Sequence, residues 1–132
     1  MTRPVQVAVG GIAVRDGRIL LIERANEPGR GCWSIPGGRV EFGETMHDAV
    51  VREMAEETGL AVTVGALAGL AETITDGFHA VIIDYYVEII GDPTPTAGDD
   101  ASDAAWIALE KVSELDLVDG LAGFLADCGV VT

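Results

Sequence analysis

Two Asp-Gly pairs, Asp16-Gly17 and Asp76-Gly77, each sit between two runs rich in β-branched and apolar residues. A two-residue type I′ turn needs positive φ at both central positions, and Asp-Gly tolerates this better than almost any other pair. The chain therefore reads as two hairpins. Val5 to Val14 is the first strand-like run and Arg18 to Arg24 the second. Ala61 to Thr75 and Phe78 to Ile90 form the other pair. Between them, Thr45 to Thr58 reads as a helix. Thr45 and Asp48 have capping-box spacing, and Gly59 suits the left-handed position past the last turn.

Around these elements the punctuation is plain. Glu27 to Gly31 is a Gly/Pro loop, and Trp33 to Gly38 is a short extended segment ending in a turn. Residues 91–100 (GDPTPTAGDD) form a polar loop, and Ala104 to Leu109 is a short strand. From Ser113 onward, Leu115, Val118, Leu121, Ala122 and Leu125 recur at helical spacing. Two hairpins and two helices predict a mixed-sheet α/β or α+β sandwich. At 132 residues, with no repeat and no linker, one domain over 1–132 is expected.

Composition narrows the function. Eight basic residues face 22 acidic ones, a net charge of −14. Such a surface repels nucleic acid and anionic membranes, which bind Lys/Arg patches. Seven of the eight cations are Arg, and Lys111 is the lone Lys. If the protein handles phosphates, a cation must mediate. Cys32 and Cys128 are too few for a disulfide scaffold, and with His47 and His79 they make no zinc pattern. No apolar run is long enough to span a membrane. The apolar N-terminus is broken by Gln6 and Gly10-Gly11, so it reads as a strand rather than a leader, and a cytoplasmic location is expected. Other signatures fail. There is no G-x-x-x-x-G-K-[ST] loop, and the start of a G-x-G-x-x-G at Gly29 meets Ser34.

The middle helix carries the chemistry. Met46, Ala49 and Val50 should define its buried face. At about 100° per residue, Glu53, Glu56 and Glu57 fall in the same arc. Three carboxylates within one turn repel one another. They are stable on a buried face only around a positive charge, and an all-oxygen set suits a hard divalent cation. The plainer alternative is a Glu-rich helix that turns this face to solvent.

From Gly38 the chain runs Glu44, Arg52-Glu53-Met54, Glu56-Glu57, Gly59-Leu60. This is G-x5-E-x7-R-E-U-x-E-E-x-G-U (U, a bulky apolar residue), the Nudix box, matched at every fixed position. The chain resembles the Nudix hydrolase family. The likeness extends to Gly31-Cys-Trp33-Ser-Ile-Pro36-Gly37-Gly38, to Val40-Glu41-Phe42-Gly43-Glu44 and to Trp106-Ile-Ala-Leu109.

The resemblance implies an α/β/α sandwich, with a mixed sheet between the box helix and a C-terminal helix. It implies hydrolysis of the pyrophosphate bond in a nucleoside diphosphate linked to another moiety. Mg²⁺ or Mn²⁺ would be held by Glu53, Glu56 and Glu57, with Glu44 and the carbonyl of Gly38. Arg52 would orient a box Glu. The general base would be a box Glu such as Glu53 or Glu57, or an acid of the 91–100 loop, Asp99 or Asp100. Arg24, Trp33, Arg39 and His79 are candidates for substrate contact. The plainer readings are core packing for Trp33 and surface positions for the other three. Substrate motifs downstream of the box are missing, since Thr73 to Gly77 holds no Pro. The general layout resembles the compact ADP-ribose or nucleotide-sugar type. The alternatives are a (deoxy)nucleoside triphosphate pyrophosphohydrolase that removes oxidised nucleotides, and a non-catalytic nucleotide-sensing domain. A homodimer is implied by analogy with the family alone.

Overall fold

A computed structural model describes residues 3–27 and 29–131. Pro28, in the predicted Gly/Pro loop, lies outside them. The strands are β1 (Gln6–Ile12), β2 (Val14–Arg15), β3 (Arg18–Arg24), β4 (Trp33–Ser34), β5 (Gly37–Arg39), β6 (Ala61–Thr75), β7 (Phe78–Ile90) and β8 (Ala101–Ala108). The helices are α1 (Met46–Thr58) and α2 (Leu121–Asp127), with a 3-10 helix over Leu109–Glu114.

The strands form two sheets. The first is mixed, in the order β5-β1-β7-β6, with β1 parallel to β7. The second is antiparallel and centred on β3, which pairs with β8 on one edge and with β2 and β4 on the other. The run read as one strand over Val5 to Val14 is therefore divided. Gln6–Ile12 joins the first sheet, and Val14–Arg15 turns into the second. Asp16 (φ 52°) and Gly17 (φ 73°) both take the positive φ expected of that turn. Trp33 to Gly38 is divided in the same way, and Ile35-Pro36 carries the chain from one sheet to the other.

Two apolar layers flank the sheets. Val9, Leu20, Tyr85 and Val87 pack with Ala49, Val50 and Met54 of α1. Ile12, Ile19 and Leu21 pack with Leu121 and Leu125 of α2. Ile19, Leu20 and Leu21 thus serve opposite layers in turn, as strand alternation requires. The predicted α/β/α sandwich is the observed architecture.

The C-terminal helix is shorter than its apolar spacing predicts. It starts at Leu121, because Gly120 sits at φ 84°, outside helical space. Leu115 and Val118 still pack on the α2 layer, but from an extended segment. The Val118 N–H donates to the carbonyl of Trp33, and Trp33 donates to that of Asp116. Pairing to β4 has displaced the helix there.

The 91–100 loop is anchored at both ends. Trp106 Nε1 donates to the Pro93 carbonyl at 2.7 Å. Thr96 N–H and Gly98 N–H donate to the carbonyls of Thr58 and Glu57, at 2.8 and 3.1 Å. They satisfy acceptors that the end of α1 would otherwise leave open. A Cβ at Gly98 would collide with the Glu56 carbonyl. Gly98→Ala should therefore destabilise the fold by about 2 kcal/mol through overpacking. Thermal melts of the two proteins check this.

Candidate active site

Helix α1 presents the carboxylates. Thr45 Oγ1 accepts from Asp48 N–H at 3.1 Å and starts the helix. Gly59 (φ 72°) ends it, donating to the Ala55 carbonyl. Ala49 and Val50 are buried as predicted, and Met54 is buried with them, whereas Met46, predicted on that face, is 40% exposed. Its sulfur receives the Tyr85 hydroxyl at 3.8 Å. Glu57 lies in the buried arc at 9% exposure, and the Glu53 side chain is nearly as covered. The Glu56 side chain turns to solvent.

Arg52 is the positive charge the cluster requires. It grips Glu44 with two bonds, Nε to Oε2 at 2.7 Å and Nη2 to Oε1 at 2.9 Å. Nη1 donates to Glu53 at 2.8 Å and to Glu56 at 3.2 Å. Nη2 also donates to the Arg39 carbonyl at 2.9 Å. This planar fork suits a guanidinium and not an ammonium. Hydrogen bonds from Arg52 hold the Glu44 carboxyl down at about 2. Hydrogen bonding to Glu44 raises the Arg52 guanidinium further above its already high value.

Glu57 has a different environment. Its Oε2 accepts from the Gly37 N–H at 2.9 Å. Burial pushes its carboxyl up to about 7 against the pull of that bond, and the neighbouring Glu53 adds to the rise. Burial also raises Glu53, against Arg52. The field of Asp100 reaches both Glu53 and Glu57, and that of Arg24 favours the charged form of Glu57. Loop 91–100 and the end of β3 thus place Asp100 and Arg24 within electrostatic reach of the cluster.

The other candidates fall elsewhere. Trp33 packs in the α2 layer, half-buried, in line with its core reading. Arg39 contributes its carbonyl, and its residue is exposed. His79 pairs with Glu72 at 3.2 Å, at the hairpin end of β6 and β7. It lines a pocket of about 340 Å³ with Arg3 and Phe78, to which no carboxylate of α1 contributes. Sequence reasoning misses one participant of the site and one buried acid outside it. Nothing in the pattern marks the Gly37 N–H beside Gly38. Nor does spacing mark Asp84, although it is the one charge within the apolar run Ala80 to Val87.

The donor set suits a hard cation, since the acidic side chains at Gly37-Gly38, Glu57 and Glu53, offer oxygen. Among the described residues no three His, Cys, Asp or Glu side chains close on one point. Mg²⁺ does not need such a cage. It commonly takes one or two carboxylates and completes its shell with water and substrate phosphates. The bare backbone fits this use, because a Cβ at Gly38 would enter the Glu53 carboxylate. Gly38→Ala should therefore displace Glu53 and cut turnover at least about tenfold, a barrier change of about 1.4 kcal/mol. Steady-state rates beside an unchanged melting curve check this.

Comparison with known proteins agrees with this geometry. The NUDIX domain family matches residues 4–128. The chain is 43% identical over 111 residues to an ADP-ribose pyrophosphatase of Methanocaldococcus jannaschii. That match covers 83% of this chain and 65% of the archaeal protein, so the chain spans just under two thirds of that relative. It is 32% identical over 124 residues to a Mycobacterium tuberculosis protein named "Putative 8-oxo-dGTP diphosphatase 2", covering 92% of this chain and 86% of that one. Among solved structures, a MutT NUDIX hydrolase from Burkholderia pseudomallei superposes with a TM-score of 0.79 at 34% identity. It covers 98% of this chain and all of its own. With box, sandwich and carboxylate cluster in agreement, the chain belongs to the Nudix hydrolase family.

Proposed function

We propose that the protein hydrolyses the pyrophosphate bond of a nucleoside diphosphate linked to another moiety, of the ADP-ribose or nucleotide-sugar type, with Mg²⁺ or Mn²⁺. The observation that carries this is the meeting of Glu53 and Glu57 with the bare Gly37-Gly38 backbone, beside Arg24 and Asp100. The M. jannaschii relative supports the substrate type.

In this reading Glu57, Glu53 and Glu56 hold the cation, with Glu44 and the Gly38 carbonyl beside them. Bound there, the cation neutralises the pyrophosphate and acidifies a water, which explains how a protein of net charge −14 accepts an anion. Arg52 fixes the rotamers of Glu44 and Glu53, and it does not touch substrate. Glu53 takes the proton of the attacking water, with Asp100 supporting from the loop. Arg24 meets a substrate phosphate. The protein works in the cytoplasm. It pairs as a homodimer through edge strand β6, where Leu67, Leu70 and Ile74 are exposed. A second reading, cleavage of oxidised nucleoside triphosphates, is supported by the M. tuberculosis relative.

A substrate panel with Mg²⁺ tests the reading. ADP-ribose and nucleotide sugars should turn over faster than canonical or oxidised dNTPs. Glu57→Gln should abolish turnover on every substrate and weaken Mg²⁺ binding measured by calorimetry. Glu53→Gln should lower kcat more than it lowers Mg²⁺ affinity. Faster cleavage of 8-oxo-dGTP than of ADP-ribose would establish the second reading instead. Binding without cleavage across the panel would mark a sensing domain.

Metal-free stability should depend on pH through Glu57. Its carboxyl lies at about 7 in the folded protein, against an ordinary value of 4.5. Between those values the folded protein holds the extra proton, so stability falls as pH rises from about 4.5 to about 7. The full effect is about 3 kcal/mol. Melting temperature against pH should show this fall, and Glu57→Gln should remove its share, leaving the smaller fall that the raised carboxyls of Glu53 and Asp84 contribute.

A further inference from the structure

Asp84 is a buried acid with no role in the site above. It is 4% exposed, and its Oδ1 has no hydrogen-bond partner among the described residues. Burial alone pushes its carboxyl up to about 6. Removing a carboxylate from water without a partner costs several kcal/mol. Among the apolar residues of β7 such a group is unfavourable unless something outside the fold completes it.

The surroundings of Asp84 suggest what that is. On β1 and β7, Ile12 pairs with Tyr86, Gly10 with Asp84 and Ala8 with Ile82. Ile12 and Tyr86 belong to the α2 layer, so the alternate residues Asp84 and Ile82 share that face. On the other side, Asp84 pairs with Gly69 and Ile82 with Ala71. A Cβ at Gly69 would press on Phe124 of α2, which confirms the face. Asp84 is therefore flanked on both neighbouring strands by glycine. The next row, Ala8, Ile82 and Ala71, carries two alanines and is only half-buried. Helix α2 has seven residues and ends at Asp127. The result is a shallow trough of small residues on the sheet, with Phe124 over Gly69 and Ile35 against Gly10.

The trough also has the right reach. Gly10 pairs with Asp84 on one side and with Gly37 on the other. Two strand spacings, about 10 Å, separate Asp84 from Gly37, and Gly37 is where the Glu57 carboxylate is bound. A nucleoside is about as long. Strand β5 is a three-residue edge strand, so a ligand can pass over it from one face to the other.

We propose that this trough is a nucleobase subsite and that the Asp84 carboxylate accepts the exocyclic amine of the base. Nucleotides of adenine, guanine or cytosine are then preferred to those of uracil. Uracil has no such amine, and it turns carbonyl oxygens toward the buried acid. The inference rests on the nucleotide substrate proposed above. It adds a reader that discriminates by hydrogen bonding, where leaving a buried polar group unpaired makes the penalty large.

The test compares ADP-glucose with UDP-glucose, which differ only in the base. The wild type should favour ADP-glucose in kcat/KM by at least about tenfold, corresponding to about 1.4 kcal/mol. Asp84→Val removes the acceptor with little change in volume, and it removes a buried unpaired charge, so the fold should be retained. The preference should collapse to about unity through the KM for ADP-glucose, with kcat for UDP-glucose unchanged. Asp84→Asn is the second variant. Its amide should accept adenine and also serve uracil, raising the rate on UDP-glucose. A wild-type preference that survives Asp84→Val overturns the proposal, as does an equal loss on both substrates. Calorimetry with AMP and UMP reads the same contrast without catalysis. If neither sugar nucleotide is cleaved, the nucleotide-sugar reading fails while cleavage of ADP-ribose still decides the hydrolase reading. AMP binding that exceeds UMP binding and disappears in Asp84→Val still supports the subsite, and equal binding overturns it.

Discussion

The site depends on one guanidinium. Arg52 lies among Glu44, Glu53 and Glu56 and makes hydrogen bonds to all three. Without it, those carboxylates and Glu57 would sit within two helical turns and a loop, mostly screened from water. The Coulomb repulsion between them would favour protonation or a frayed helix. A single planar fork both neutralises them in part and fixes their directions. Its bond to the Arg39 carbonyl extends the same control to β5, so sheet and helix keep their spacing at the point where substrate must enter.

That arrangement is legible in the sequence because its parts are local. The resemblance to the Nudix box gives Arg52 the orienting of a box Glu before any fold is known, and the fold shows that Glu44 and Glu53 are the carboxylates it holds. The chemistry of Glu57 is also foreseeable, since its position on the buried arc follows from Ala49 and Val50. Asp100 and Arg24 are candidates in the sequence by their place near a strand end, and their fields reach Glu57. The partner of Glu57 is not legible, since the Gly37 N–H lies 20 residues away and meets it only through tertiary packing.

The fold follows the same rule. Turn chemistry fixes the first hairpin, where Asp16 and Gly17 both take positive φ, whereas at Asp76-Gly77 only the glycine does and the turn is not the type I′ expected. Capping fixes α1. Ala13 and Ile35-Pro36 carry the chain between sheets, and alternation alone does not mark this, because a buried strand reads the same in either sheet. The C-terminal helix is overextended in the sequence reading for a related reason. Leu115 and Val118 are apolar at helical spacing, yet the backbone between them pairs with Trp33. Gly120 is the available signal, and its conformation outweighs the periodicity. Asp84 escapes notice because one acid in an apolar strand has no spacing to recognise.

The loop that caps α1 links two parts of the molecule that a linear reading keeps apart. Helix α1 has no basic residue in its last turn, and the N–H groups of Thr96 and Gly98 take that place. The same loop carries Asp100. Helix end and acid therefore form one mechanical unit. Lengthening the chain before Pro93 leaves the cap, its Trp106 anchor and the acid joined. A residue added between Gly98 and Asp100 breaks the link between cap and carboxylate. A change of length on one side of Gly98 therefore spares the site, and on the other it disturbs the site's geometry.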